Sequence, residues 1–490
     1  MRTARRTLRW YEAAWAVLAA LLGVVVAFQP PTLTGAGIAA AALIVCTLIS
    51  PFAALILLVV IAPLRTLIAT EAPFQLPLDI GQIALIVLIG VWFAESLVNR
   101  RTLPRLRWTP VYLPVLVFFA AASLSAFTAV SMSAWINEWL KWAQILVLIA
   151  LVLALGAQTG RGAAREWIIF GLCVAASANA LIGIYEYFGG SGALHLLVNG
   201  THFRAFGTFG QPNPFGGFMG LIAPLALVSA LGYGWRVWQT WRKTARLPLI
   251  SLAAVAFYGA AFALLAIGVY VSVSRGAWLA FAASLGVIGF ALPRKTWIGI
   301  GLIGAGVIAF VVLWSNGWIP QSIIDRLNTI TQETFAITDV RGVTITTANY
   351  AVIERLAHWQ AAVNMATANP LLGVGFGGYE AAYPEYSLMN WELALGHAHN
   401  YYLNVLAETG IIGLVSYLAL WVTMFALTWR ARRHPDWLAR LTAVGLLGTW
   451  TYLAVHSLTD NLYVNNLFIH VGIMIGILAL LQSELATRNR

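Results

Sequence analysis

Apolar runs long enough to cross a bilayer recur along nearly the whole chain, and they constrain the fold more than any other feature. Sixty per cent of the residues are hydrophobic and only 10% are charged, whereas a soluble protein carries roughly a quarter charged residues. A membrane-spanning helix needs about 20 apolar residues. The sequence therefore predicts an all-α, polytopic integral membrane protein with about 12 to 14 transmembrane helices.

Fourteen candidate spans can be drawn from these runs. They are 11–28, 33–50, 52–69, 80–98, 109–130, 139–156, 166–188, 213–233, 248–271, 273–292, 296–316, 400–428, 438–457 and 463–483. The second and third spans can alternatively form a re-entrant pair, which would leave twelve crossings.

The positions of the basic residues test these spans independently. With the N-terminus in the cytoplasm, 22 of the 29 lysines and arginines fall in cytoplasmic segments and seven on the outer side. Membrane proteins show such an excess in their cytoplasmic loops. We therefore expect both termini to be cytoplasmic. The net charge of +11 reflects this topology, and we expect no nucleic-acid partner. Cys46 and Cys173 fall inside spans, where we expect them to pack without a disulfide or a metal.

The chain divides into two membrane parts and one large outer loop. Residues 1–316 are predicted to form a transmembrane bundle with an outer loop at 189–212, and residues 400–490 add C-terminal transmembrane helices. Between them, residues 317–399 form the large outer loop, which contains short helices. Apolar residues at helical spacing predict an amphipathic helix over 350–368, and Asn369-Pro370 ends it.

A glycine-rich turn, Gly373-Val-Gly-Phe-Gly-Gly378, follows this helix. It matches the pattern G-x-G-x-x-G, but a dinucleotide site requires a preceding strand and a following helix in a βαβ unit. Here a helix precedes the turn and the segment faces outward. The turn is better interpreted as a close approach of the backbone to a ligand or to a neighbouring helix.

Three outward arginines are candidates for binding an anionic substrate. Arg204 precedes a turn that contains Asn213, Arg275 lies in a very short turn between two spans, and Arg355 lies on the predicted loop helix. An arginine donates two parallel hydrogen bonds to a phosphate and never loses its charge. Two of them at the membrane rim would suit a lipid-linked diphosphate. The alternatives are an interfacial side chain for Arg204, a structural anchor for Arg275 and a solvated ion pair with Glu354 for Arg355.

Two histidines at the start of the next span are candidates for proton transfer. An ionisable group at the rim of a membrane usually marks a site, and histidine exchanges protons near neutral pH. His399 is the candidate base for an acceptor hydroxyl, and a helix-entry histidine bonded to the backbone is the alternative. His397 is either a supporting residue or a spacer. The sequence offers these two no third metal ligand at helical spacing, so we expect no metal and no cofactor.

The helix after His399 carries two distinct faces. Gly410 and Gly413 form a small-residue surface suited to a neighbouring helix. Asn400, Asn404 and Glu408 form a polar stripe four residues apart. Glu408 is interpreted either as a structural partner for another helix or as a substrate contact. The full set of predicted substrate-binding residues is Arg355, His397, Asn400, Asn213 and Glu408.

Four segments, in this order along the chain, resemble a known family. His399-Asn400, followed after nine residues by Gly410-x-x-Gly413, resembles the signature of bacterial O-antigen ligases and the related O-antigen polymerases. The similarity runs over about residues 200–425. It is supported by Arg204…Gly207-Thr-Phe-Gly-Gln-Pro-Asn-Pro214, Ser274-Arg275-Gly276-Ala277-Trp278 and Asn369-Pro370-Leu-Leu-Gly373-Val-Gly375.

The resemblance implies a metal-independent, inverting glycosyltransferase of the GT-C class in a bacterial cytoplasmic membrane. Such enzymes move a glycan from undecaprenyl diphosphate to an acceptor hydroxyl at the outer face. By motif, His399 matches the family's general base, and Arg204 and Arg275 match its diphosphate-binding arginines. Two features depart from the family pattern: the number of predicted spans is higher than usual, and His397 is an additional histidine.

The acceptor and the exact activity stay open at this point. The form of the histidine motif favours a ligase acting on the lipid A core. A polymerase that extends a glycan, a protein O-oligosaccharyltransferase and a transferase to a teichuronic-type polymer are the alternatives. A transporter of lipid-linked glycans is the rival from another class. Transporters of that kind tend to carry internal repeats and ionisable residues at mid-membrane, and neither is evident in the sequence.

Overall fold

The computed structural model describes residues 49–71, 78–100, 107–190, 192–198, 200–318, 340–341, 343–345 and 349–488, together with isolated positions before residue 46. The predicted spans 11–28 and 33–50 lie outside the described residues, apart from such isolated positions and residues 49–50. The same holds for residues 319–339 of the predicted outer loop.

Fifteen α-helices make up most of the described chain. They are α1 (Pro51–Ile61), α2 (Arg65–Glu71), α3 (Ile80–Arg100), α4 (Tyr112–Leu124), α5 (Met132–Thr159), α6 (Arg161–Tyr185), α7 (Pro212–Thr244), α8 (Leu249–Val271), α9 (Arg275–Ala291), α10 (Thr296–Ser315), α11 (Tyr350–Ala368), α12 (Tyr379–Tyr386), α13 (Tyr401–Ala431), α14 (Trp437–His456) and α15 (Leu467–Arg488). A two-stranded antiparallel hairpin pairs β1 (Leu197–Val198) with β2 (His202–Phe203), with Leu197 opposite Phe203.

The prediction of an all-α, polytopic membrane protein is confirmed. Ten helical segments of the described chain are long and apolar enough to cross a membrane, and the shorter apolar segments Tyr112–Thr128 and Arg275–Ala291 accompany them. Each of the twelve predicted spans after residue 51 corresponds to one of these. The segment Pro51–Glu71 is long enough to cross by itself. A 3₁₀ turn at Ala62–Leu64 joins α1 to α2, because Pro63 lacks the amide hydrogen that a continuous α-helix requires.

The core of the bundle forms where α14 packs against the glycine-rich first half of α7. The ring of Tyr452 lies against Gly220, where a Cβ atom would overlap it. The Tyr452 hydroxyl donates to the Gly216 carbonyl at 2.8 Å, and Thr449 Oγ1 donates to the Leu221 carbonyl at 2.9 Å. Small residues allow helices in lipid to approach closely enough for such bonds. These contacts fix the start of α7, next to Arg204, relative to the end of α14.

The polar groups of the bundle separate into two ends. At one end, Arg165 Nη1 lies 3.1 Å from Glu484 Oε2, and His434 Nε2 lies 3.3 Å from the same atom. At the other end, the starts of α7, α9 and α13 meet the loop between α14 and α15. We call this second end, formed by residues 186–212, 272–276, 396–401 and 457–466, the site end. Cys173 is fully buried within the bundle, as expected for a packing residue.

The segment after α11 docks onto a break in α13. The predicted amphipathic helix over 350–368 is confirmed by α11. Beyond it, the Val374 and Gly375 amides donate to the Ala407 and Glu408 carbonyls at 2.9 and 3.0 Å, and the Ile411 amide donates to the Pro370 carbonyl at 2.9 Å. This confirms that the glycine-rich turn is a close approach of the backbone to a helix.

Gly410 creates the break that accepts this segment. Its φ of 63° and ψ of −167° are non-helical, and a Cβ atom there would overlap the Leu371 carbonyl. The interpretation of Gly410 and Gly413 as a surface for a neighbouring helix is therefore wrong for Gly410, because its neighbour is the backbone of a loop. The open side of Gly413 faces Thr409 of the same helix. Spacing on a regular helix gave no sign of a break at Gly410.

Gly410→Ala should destabilise the protein, because a side chain at positive φ costs about 1 to 3 kcal/mol before any overlap with Leu371 is relieved. Thermal unfolding of the purified protein in nanodiscs measures the effect. Gly259→Ala is the matched control, since a Cβ atom at Gly259 meets nothing within 4 Å in a regular helix. An unchanged unfolding temperature for Gly410→Ala would contradict the docking described above.

Candidate active site

Arg204 and Arg275 are brought to the same place by the backbone around Ser272. Arg204 Nε donates to the Ser272 carbonyl at 3.3 Å, and Arg204 Nη2 donates to Asn213 Oδ1 at 3.3 Å. The Ala205 amide donates to the Val271 carbonyl at 3.0 Å. Arg275 follows three residues after Ser272 as the first residue of α9. The two guanidinium groups therefore belong to adjoining segments at the site end.

A buried carboxylate holds the loop that carries Arg204. Glu186 is only 6% exposed, and its Oε2 accepts the amide hydrogens of Phe206 and Gly207 at 2.8 and 2.7 Å. Asn179 Oδ1 accepts the Thr208 amide at 3.2 Å. The loop therefore has a defined conformation, which limits where the Arg204 side chain can reach.

The start of α9 adjoins the loop between α14 and α15. Ser274 caps α9 by accepting the Ala277 amide at 3.4 Å. The missing side chain of Gly276 makes room for Thr459, whose Oγ1 a Cβ atom would overlap. A cavity of about 90 Å³ lies here, and Arg275, Arg355 and Thr459 line it. This small cavity has a cation on each of two elements and borders the residue that precedes Asp460.

Asp460 lies between the two predicted histidines. Its Oδ1 is 3.4 Å from His397 Nε2 and 3.7 Å from His399 Nδ1, and it accepts the Asn461 amide at 2.8 Å. Burial alone raises the pKa of Asp460, but His399, His397 and His456 outweigh burial and hold that pKa well below its usual range. Asp460 is therefore a carboxylate at neutral pH. Its negative charge faces both imidazoles.

His397 orients the backbone of His399. Its Nδ1 accepts the His399 amide hydrogen at 3.1 Å, so the neutral ring carries its proton on Nε2, which faces Asp460. Burial lowers the pKa of His397 to about 4 despite the charge of Asp460. His399 itself has a φ of 51°, a conformation that costs energy in a non-glycine residue and clusters at functional sites.

His397, His399 and Asp460 also form a cluster that the sequence argument did not find. One ligand atom from each residue lies within 4.8 Å of the others, close enough to hold a metal ion. The search for a third ligand at helical spacing therefore missed the one that tertiary structure supplies. Asp460 is about 60 residues away along the chain and arrives through the α14–α15 loop. Helical spacing could not reveal it.

One comparison with known proteins identifies a segment of the chain. Residues 260–418 match the family model described as O-antigen ligase. The predicted resemblance to the O-antigen ligase and polymerase family is confirmed over this segment. No curated protein matches the chain significantly. The matched segment contains Arg275, Arg355, His397 and His399, while Arg204 and Asp460 lie outside it.

The remaining predicted site residues fall into two groups: some line the small cavity, and others make structural contacts. Arg355 lines the cavity with Arg275, and Asn213 contacts Arg204. Asn400 caps α13 by accepting the Tyr402 and Leu403 amides at 3.1 and 3.2 Å. Asn213 therefore positions the Arg204 side chain, and Asn400 positions the start of α13.

Glu408 is placed away from the small cavity, inside the docked region of α13. It is 4% exposed, and its Oε1 accepts the Tyr379 amide at 3.3 Å. Of the two interpretations of Glu408, this geometry favours the structural partner. The partner is the backbone that follows the glycine-rich turn, and not another transmembrane helix.

His358, which lies in the matched segment, is a second residue that the sequence argument missed. It is 1% exposed on α11, its Nδ1 lies 2.9 Å from Tyr379 Oη, and its ring centre is 5.8 Å from that of His399. Burial lowers its pKa to about 4. For His358, the available signal was a histidine on the apolar face of the predicted helix. For Asp460, the signal was an acidic residue in the very short loop before the last predicted span.

Proposed function

We propose that the protein is an O-antigen ligase-like glycosyltransferase. It moves an oligosaccharide or polysaccharide from undecaprenyl diphosphate to an acceptor hydroxyl at the outer face of a bacterial cytoplasmic membrane, without a metal. The observation that carries the proposal is the convergence, at one end of the bundle, of two arginines and a histidine that faces a buried carboxylate. The match of residues 260–418 to the O-antigen ligase family supports it.

Arg204 and Arg275 bind the diphosphate of the donor in this proposal. The Arg204 side chain is held by Asn213 and the Ser272 carbonyl, so its charge is fixed before substrate arrives. Charge-assisted hydrogen bonds from arginine to phosphate are short and strong. They strengthen as the bond to the sugar breaks and negative charge develops on the leaving diphosphate. No acid is needed, because the diphosphate leaves as an anion.

His399 accepts the proton of the acceptor hydroxyl. Asp460 faces Nδ1, which favours a proton on that nitrogen and leaves the lone pair of Nε2 as the base. The acceptor oxygen attacks the anomeric carbon opposite the diphosphate, the carbon–oxygen bond to the diphosphate breaks, and Nε2 takes the hydroxyl proton. Attack from the face opposite the leaving group inverts the configuration at that carbon.

The site end faces outward in this proposal, with both termini in the cytoplasm. Basic residues at the opposite end support it: Arg165 lies in the first turns of α6, Arg432 directly follows α13, and Arg440 lies in the first turn of α14. Cytoplasmic segments next to membrane helices are enriched in lysine and arginine. Residues 317–399 then form the large segment outside the membrane, between the bundle of residues 1–316 and the helices of 400–490. The lipid A core is the favoured acceptor.

His399→Ala should reduce transfer by at least about 10²-fold while the protein stays folded, because it removes the base. The assay uses proteoliposomes with undecaprenyl-diphosphate glycan and candidate acceptors, with and without EDTA. Wild-type turnover is expected to persist in EDTA, which separates base catalysis from a metal at His397, His399 and Asp460. His195→Ala, at an exposed histidine, is the matched control.

Each outcome of this assay has a distinct meaning. One discrete product that His399→Ala abolishes supports a ligase, and a ladder of lengthening glycan identifies a polymerase with the same chemistry. Near-wild-type turnover of His399→Ala removes base catalysis by histidine from the account. Loss of wild-type activity in EDTA, restored by a divalent cation, would replace the metal-independent mechanism. No transfer to any acceptor, together with movement of the donor across the membrane, would favour a transporter.

Arg275→Lys should lower turnover by about 10²-fold, because a lysine offers one point charge in place of the two-pronged guanidinium. Arg65→Lys is the control, since Arg65 is an exposed arginine outside the residues that form the site end, 3.7 Å from Asp79. Full activity of Arg275→Lys would mean that Arg275 serves as an anchor.

A further inference from the structure

A second, larger cavity lies beside the small one. Its volume is about 510 Å³, and Arg341, Trp359, Gln360, Asn364 and Leu403 are among its lining residues. Pockets that bind small organic molecules commonly measure about 300 to 1,000 Å³. The lining comes from α11, from the segment before it, from the segment between α12 and α13, and from the first turn of α13. We call it the lateral cavity.

The lateral cavity continues from the candidate active site along one face of α11. Leu356 and Trp359 line both cavities, so the two lie on either side of these side chains. Arg355 of the small cavity and Asn364 of the lateral cavity are about 13 Å apart along the helix axis at 1.5 Å per residue. Leu403, in the first turn of α13, lines the lateral cavity and follows His399 by four residues.

The chemistry of the lining distinguishes the lateral cavity from a lipid site. Trp359 supplies a broad apolar surface, and its Nε1 is buried with no hydrogen-bond partner among the residues that the structure describes. Gln360 and Asn364 add amide donors and acceptors, and Arg341 adds a planar guanidinium. A hydrocarbon chain offers no hydrogen-bonding group to match a lining of this polarity.

A sugar ring matches this combination. One face of a pyranose presents aliphatic hydrogens that pack against an indole, and its rim presents hydroxyls that both donate and accept hydrogen bonds. Tryptophan combines an apolar ring with an N–H donor at its edge, and amides bond to hydroxyls in either direction. The cavity therefore offers an apolar platform with polar groups around it.

We propose that the lateral cavity binds saccharide residues of a glycan substrate, with Trp359 as the stacking platform and Gln360, Asn364 and Arg341 as hydroxyl partners. The proposal rests on the proposed function, which requires the lipid-linked donor glycan and the acceptor to meet at His399. The saccharide belongs either to the acceptor or to the donor, and these two sources are distinguished below.

Binding is measured on the full-length protein in nanodiscs by ligand-observed NMR, so the result does not depend on transfer. The acceptor probe is a deacylated lipopolysaccharide core oligosaccharide, and the donor probe is an O-polysaccharide oligosaccharide without its lipid. Trp359→Ala should weaken binding of one or both probes by at least about fivefold. Trp359→Phe should lose less, because it keeps an aromatic ring for stacking, although that ring is smaller and lacks Nε1.

Two further variants complete the set. Asn364→Ala, at an exposed position of α11, should weaken binding by about threefold and is judged alone if Trp359→Ala fails to fold. Trp318→Ala is the matched control, because Trp318 is 75% exposed and lines neither cavity. If only the acceptor probe binds more weakly, the cavity is assigned to the acceptor. If only the donor probe binds more weakly, the cavity is assigned to the donor.

The proposal is overturned if wild type binds neither probe, or if folded Trp359→Ala and Asn364→Ala bind both probes as wild type does. It is also overturned if these variants weaken binding of undecaprenyl phosphate while leaving both saccharides unaffected. Failure of the proposed function has a different signature. Wild type would then bind a saccharide in the lateral cavity and yet transfer none in the proteoliposome assay.

Discussion

The buried carboxylate of Asp460 joins the separate parts of the chain that form the candidate site. It faces His397 and His399 from the loop before the last helix. The preceding residue, Thr459, packs against Gly276 at the start of α9, next to Arg275. Arg204 reaches the same region through the Ser272 carbonyl. A buried charge is stable only with partners, and here the partners are the two imidazoles and a backbone amide. The packing of α7, α9, α13 and α14 is what keeps them in place.

A second set of contacts fixes the region from which the histidines project. The break at Gly410 lets the backbone of residues 370–375 pair with α13, and Glu408 accepts an amide hydrogen from the segment that follows. Both contacts lie two to three turns from His399. The histidine and glycine parts of the motif thus have different physical roles. In the proposed function the histidine supplies the chemistry, and Gly410 docks the chain that connects α11 to the site.

Much of the fold could be predicted from the sequence, because apolar length and the placement of charges depend on the bilayer and not on tertiary contacts. The helix over 350–368 and the glycine-rich turn followed from local rules as well. Asp460 and His358 could not be placed in the same way. Their significance arises only when distant helices meet. The break at Gly410 was missed for the related reason that a helical wheel assumes an unbroken helix.

The most direct test of the account is a double-mutant cycle on turnover with wild type, His399→Ala, Asp460→Asn and the double variant. If Asp460 acts by orienting His399, Asp460→Asn alone loses much of the activity, and the double variant is within about threefold of His399→Ala, because residues that act as a unit are not additive. Wild-type turnover of Asp460→Asn, or losses that multiply in the double variant, would show that the carboxylate and the histidine act independently and would contradict the account.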